Sequence, residues 1–120
     1  FPIWEYDPAI PGKQESPRPA DIVVCTDVLE HIEPEKLHFV LDDLRRCTKQ
    51  IGYFTIHLGP AIKCYADGRN THLIQKTESW WRKQVGRFFK IGKIINTGKE
   101  LHVVVAPKSG KQIIEGMKAA

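Results

Sequence analysis

Within six consecutive positions, Thr26-Asp27-Val28-Leu29-Glu30-His31, the chain carries two carboxylates, a hydroxyl and an imidazole. Such a cluster can hydrogen-bond hydroxyls and amines, and an imidazole can take up and return a proton near neutral pH. The same acids can equally be solvated residues that favour the start of the next helix. What precedes and follows the segment bears on the choice. Asp21-Ile-Val-Val-Cys25 is a β-branched apolar run with the pattern of a strand buried on both faces. After Glu33-Pro34, Leu37, Val40, Leu41 and Leu44 recur at helical spacing. A polar turn between such a strand and such a helix lies at the carboxyl edge of a sheet, where open α/β sheets bind their ligands.

Two further groups of residues could do chemistry. Asp7 closes an aromatic and β-branched stretch, Phe1 to Tyr6, that reads as a strand. A carboxylate there can accept hydrogen bonds from a ribose diol, or it can simply shape the Asp7-Pro8 turn. Arg69, Asn70 and His72 occupy a long loop, residues 59 to 76, and Trp80 follows it. An arginine and an amide can grip an anionic or amide-bearing molecule, and an indole can stack on a planar one. The alternative is a turn at Asp67 to Asn70, with Trp80 or Trp81 packing a helix on the sheet. His38 reads as a helix-surface residue, and His57 and His102 as positions on the wall of the sheet. No histidine pair at i, i+4 and no Cys/His ligand spacing occurs, so no metal is expected.

The elements that must position these residues follow from punctuation and periodicity. Pro8 to Pro19 is a loop. An amphipathic helix runs from Pro34 to about Lys49, with Pro34 in its first turn. Ile51 to Leu58 is a strand broken by Gly59-Pro60, and a second helix runs from Thr77 to about Arg87, capped by Thr77 or Ser79. Phe88 to Ile95 and Leu101 to Ala106 are strands of an antiparallel hairpin joined through Asn96 to Lys99. This order defines an α/β, Rossmann-like domain over residues 1–107, its sheet mainly parallel with an antiparallel C-terminal edge hairpin. Residues 108–120 form a tail, either a frayed helix or a remnant.

With 120 residues, 42% hydrophobic and 27% charged, the composition is that of one globular domain. No apolar run approaches the roughly 20 residues of a membrane helix. The three cysteines make neither a CxxC pair nor an even disulfide set, which points to a reducing, cytoplasmic compartment. The net charge of +4 conceals an asymmetry: residues 1–60 sum to −4 and residues 61–120 to +8. The basic half, which includes Lys76, Arg82, Lys83, Arg87, Lys90 and Lys93, is either a face for an anionic partner, nucleic acid included, or a set of solvated lysines. The first methionine is Met117, so a segment upstream of Phe1 is expected.

The string Asp21-Ile-Val-Val-Cys-Thr-Asp-Val-Leu-Glu-His-Ile32 resembles the fourth-strand motif of class I S-adenosyl-L-methionine-dependent methyltransferases. Tyr6-Asp7-Pro8-Ala9-Ile10-Pro11 and Asp67-Gly68-Arg69-Asn70-Thr71-His72-Leu73-Ile74 look similar to a bacterial and phage subgroup of them. The resemblance covers roughly residues 3 to 107. It implies S-adenosyl-L-methionine as cofactor, with Asp7 on its ribose and Thr26, Asp27 and Val28 along its methionine side. It further implies that Glu30 and His31 lie near the methyl-transfer centre; Arg69, Asn70, His72 and Trp80, on their own chemistry, are the candidate contacts for the acceptor. The acceptor, small molecule or macromolecule, is not specified. The family's glycine-rich turn should precede Asp7 by about 20 residues, and its first and third strands have no counterpart in this sequence. Hence the chain is expected to be the C-terminal part of an enzyme, or else a methyltransferase-derived binding or inhibitory protein that has lost the cofactor and uses a sheet edge or its basic half for a protein partner.

Overall fold

The computed structural model describes the chain except for Phe1, Pro2, Trp4, Pro8, Ala9, Gln14, Ser16, Ala120 and the side chain of Ala119. Its strands coincide with the β-branched runs: β1 at Ala20–Thr26, β2 at Thr48–His57, β3 at Phe89–Asn96 and β4 at Glu100–Pro107. They form one sheet in the order β1-β2-β4-β3. β1 and β2 are parallel, and β4 lies antiparallel between β2 and β3. This is the expected Rossmann-like α/β class with its antiparallel C-terminal hairpin. A positive φ at Gly98 lets the chain reverse between β3 and β4.

The register separates two unlike faces. Cys25, Phe54, Val103 and Ile94 align across the sheet on one of them, beside Gly52, Ile56, Leu101 and Val105. Helix α1 (Leu37–Cys47) packs Leu37 and Leu41 here, and α2 (Glu78–Gly86) packs Trp81 and Val85. The Phe54 and Phe89 rings meet edge to face at 5.2 Å. The opposite face, through Ile22, Val24, Ile51, Val104 and Ile95, is exposed. β1 therefore departs from the expectation of burial on both faces: it is the edge of the described sheet, and Val24 is 62% exposed. An apolar run reports what a strand is able to bury, not what covers it.

Two of the expected elements also differ, while the tail takes one of its two expected forms. The first helix does not run unbroken from Pro34 to Lys49: a 3-10 turn at Pro34–Lys36 precedes α1, and β2 already begins at Thr48. The Thr48 hydroxyl donates to the Leu44 carbonyl at 2.7 Å, satisfying one of the helix's terminal acceptors. Phe1, Pro2 and Trp4 of the expected first strand lie outside the described residues, while Ile3, Glu5 and Tyr6 are not in a strand. The tail is helical, forming α3 at Gly110–Ala119. The Ser109 hydroxyl and the Gln112 side chain exchange hydrogen bonds with each other's backbone N–H at its start, a reciprocal cap.

Candidate functional site

The polar segment lies where its position after an apolar strand requires, at the carboxyl end of β1. Thr26, Asp27 and Val28 are exposed there. Asp27 is the one described non-glycine residue with positive φ, 56°. That conformation disfavours most side chains, although aspartate tolerates it better than most. Thr55 of β2 holds it in place. The Asp27 N–H donates to the Thr55 carbonyl at 3.0 Å, and the Thr55 hydroxyl donates to Asp27 Oδ1 at 3.3 Å. The result is a carboxylate presented to solvent at a strand end, on a positive-φ backbone whose N–H is tied to Thr55.

The chain then enters a 3-10 turn, Leu29–His31, that buries Leu29 and Glu30 completely. Glu30 Oε1 accepts a hydrogen bond from the His57 N–H at 3.1 Å, whereas Oε2 is buried with no hydrogen-bond partner. The loop 59 to 76 folds back over this turn. Ile74 N–H donates to the Glu30 carbonyl at 3.0 Å, and His31 Nδ1 is 2.8 Å from the Thr71 carbonyl. His72 Nδ1 lies 2.7 Å from the Gly59 carbonyl, and the His31 and His72 rings meet edge to face at 4.7 Å. A carbonyl can only accept, so both imidazoles carry hydrogen on Nδ1 and leave Nε2 as the unprotonated nitrogen of the neutral ring. His57, expected as a wall residue, lies with its ring 4.8 Å from that of His72.

The other expected acceptor residues are largely engaged within the loop. Asn70 Oδ1 accepts from the N–H groups of Ala61 and His72, while its Nδ2 donates to the Ala61 carbonyl. Asn70 thus positions His72. Arg69 pairs with Glu33 at 3.0 Å and Asp67 at 2.9 Å, and both carboxylates hold its guanidinium even more firmly protonated. The turn expected at Asp67 to Asn70 forms, with Gly68 at φ 90° and a Cys64–Asn70 bridge. Trp80 is half-buried and lines a separate depression with Leu58, Gln75, Lys76 and Asn96, which Arg69, Asn70 and His72 do not share. Trp81 is the tryptophan that packs α2 on the sheet. Asp7 does not close a strand: its carbonyl accepts from Ile10 N–H and its N–H donates to the Lys13 carbonyl. The structure therefore gathers Glu30, His31 and His72, adds Thr55 and His57, and leaves Trp80 apart. The signal for His57 was its place at the end of a strand in the same sheet.

No family model matches the sequence, and no curated protein does. Similar solved structures exist. A protein of Pyrococcus horikoshii OT3, PH0226, superposes with a TM-score of 0.57 at 15% identity over 78% of this chain and 54% of its own. Magnesium protoporphyrin IX methyltransferase (ChlM) from Synechocystis PCC 6803, solved with bound SAH, gives 0.52 at 18% identity, over 76% of this chain and 46% of its own. An O-methyltransferase family protein from Burkholderia thailandensis gives 0.54 at 13% identity, over 78% and 32%. The chain shares the Rossmann-like fold of these structures, and it spans about half or less of their length. No described helix is long and apolar enough to cross a membrane.

Proposed function

We propose that this chain is the C-terminal part of an S-adenosyl-L-methionine-dependent methyltransferase acting on an acceptor still to be identified. The observation that carries this reading is the exposed Thr26-Asp27-Val28 end of β1, with Asp27 held at positive φ by Thr55, on a sheet that superposes on methyltransferases. Strained backbone persists at ligand sites because the surrounding structure over-determines it. These residues fit the methionine side of the cofactor, offering hydroxyl and carboxylate groups at a solvent-facing strand end. Asp7 is the group proposed for the ribose, and Arg69, Asn70 and His72 for the acceptor side, Asn70 acting through His72, with Trp80 reaching an acceptor only from its own, separate depression.

When bound, the cofactor supplies an electrophilic methyl group on a sulfonium. In such an in-line displacement the protein's contribution is orientation and exclusion of water, with proton removal where the acceptor needs it. His31, its Nδ1 tied to the Thr71 carbonyl, keeps Nε2 available to accept that proton. Glu30, buried beside it, holds the loop end in place through the His57 N–H.

Calorimetric titration of the complete gene product with S-adenosylhomocysteine tests the reading. Micromolar binding is expected, weakened at least tenfold in Asp27→Gly, which removes the carboxylate while leaving a residue at ease with φ 56°. Absence of binding by the wild-type protein would sink it. That outcome would favour the second reading, a protein-binding relative without cofactor, for which the exposed sheet face is the supporting observation.

A further inference from the structure

We propose that Glu30, His31 and His72 form a binding site for a divalent first-row transition-metal ion. One ligand atom from each residue lies within 4.8 Å of the others, and this is the one such grouping among the described residues. Three independent features make it a site rather than a coincidence of side chains.

The first is Glu30 Oε2. The residue is 0% exposed and this oxygen has no hydrogen-bond partner. A buried polar atom without a partner is costly, and for a carboxylate more so, which makes its retention informative. It hydrogen-bonds neither imidazole, while the carboxylate that carries it lies close enough to share an ion with both histidines. Ligands about 2.0–2.2 Å from a tetrahedral ion stand roughly 3.5 Å apart, so an ion would draw this set together by about 1 Å.

The second is the state of the rings. His31 and His72 each donate Nδ1–H to a backbone carbonyl, of Thr71 and Gly59 respectively. Metal-ligating histidines are oriented in this way, because the carbonyl fixes the tautomer and makes the other nitrogen a better ligand. The third is that the ligands are placed in advance. Asn70 Oδ1 fixes the His72 N–H, and Ile74 N–H is bonded to the Glu30 carbonyl.

Two imidazoles and a carboxylate favour Zn²⁺, Co²⁺, Mn²⁺ or Fe²⁺ over the all-oxygen preferences of Ca²⁺ and Mg²⁺. Three protein ligands leave positions for water or an oxygen of a bound molecule. If the methyl-transfer reading holds, on which this extension alone depends, that molecule is the acceptor. An ion engages the His31 Nε2 lone pair, so His31 is a ligand in the loaded protein and a proton acceptor only in the ion-free one.

The test is titration of metal-free protein with Zn²⁺ and Co²⁺, without cofactor, by calorimetry and by visible absorption of the cobalt form. One equivalent per chain is expected, with a cobalt spectrum of nitrogen and oxygen ligation. His31→Gln and His72→Gln should each weaken binding at least tenfold while His38→Gln, on the exposed face of α1, leaves it unchanged. Glu30→Gln supplies a third variant should His72→Gln fail to fold. Absence of a stoichiometric site in wild type, a thiolate-to-cobalt charge-transfer band, or unchanged affinity in folded His31→Gln would each overturn the proposal. Cofactor binding is measured separately, so failure of one experiment is distinguishable from failure of the other.

Discussion

Cys25 shows how a single side chain is tuned by its neighbours. It lies on β1 facing α1 and the core, and burial pushes its thiol up to about 12, with the nearby Glu30 and Asp27 carboxylates adding to the shift. Only the thiolate attacks an alkylating reagent, and at pH 8 about one part in 10⁴ of such a thiol is ionised. Cys64 is exposed. Alkylation with iodoacetamide at pH 8, followed by peptide mass spectrometry, should therefore modify Cys64 first and Cys25 last; equal rates would contradict the burial described here. The sign of the linked stability effect follows. The unfolded chain ionises this thiol near its ordinary 9.0 and the folded chain only near about 12, so the contribution is complete below pH 9.0 and is lost as pH rises toward 12. Denaturant midpoints measured from pH 8 upward should fall, and Cys25→Ala should fall less steeply. Asp27, by contrast, was legible as a strand-end acid, whereas its positive φ was not: that conformation arises from Thr55, a residue 28 positions away.

At the scale of elements, the packing of β2 against β4 and the helices is close enough to sense one methyl group. A Cβ added at Gly52 would stand 2.8 Å from Val105 Cγ2 and 3.1 Å from the Phe54 ring. Val105 and Phe54 are both core residues, 2% and 0% exposed, so neither yields easily. Gly52→Ala is expected to lower unfolding free energy by about 1–3 kcal/mol, the usual range for overpacking, as read from urea denaturation. A neutral result would mean that the β2–β4 contact is looser than described. The helices themselves were readable, the first from the spacing of Leu37, Val40, Leu41 and Leu44 and the second from its Thr77 or Ser79 start. Their ends were less so: α1 stops at Cys47 because Thr48 turns extended to enter β2, a choice made by pairing with β1 rather than by helix propensity.

For the whole molecule, the asymmetry of the sheet dominates. β2 and β4 are paired on both edges, whereas β1 is paired only with β2 among the described strands. One face is covered by α1 and α2, and the other exposes Ile22, Val24, Ile51 and Ile95. Local opening follows the density of such contacts. In amide hydrogen exchange read by NMR, Phe54, Ile56 and Val103 should exchange slowest, with the β1 amides well ahead of them; uniform protection across all four strands would show that something further covers β1. The exposed face also accords with a chain that spans about half or less of its structural relatives. Of the basic surplus of residues 61–120, Arg69 reaches across to Glu33 in the acidic half, whereas the Arg69–Asp67 and Arg82–Glu78 pairs lie within the basic half and leave its net charge unchanged.

Local pattern sufficed wherever a residue's role depends on its sequence neighbours. The β-branched runs after Pro19 became strands, spaced leucines became a buried helix stripe, Gly98 became a turn, and the acid-rich segment after Cys25 fell at a strand's carboxyl end. Tertiary structure decided everything that depends on residues distant in the chain. His31 and His72 are 41 positions apart, with no spacing rule to connect them, and they meet because the loop after β2 folds back over the turn after β1. That same fold-back buries Glu30 beside them and leaves its second oxygen without a partner. Periodicity encodes which face of an element is apolar. It does not encode which loop crosses which strand end, and it is that crossing which brings the distant His72 beside the adjacent Glu30 and His31.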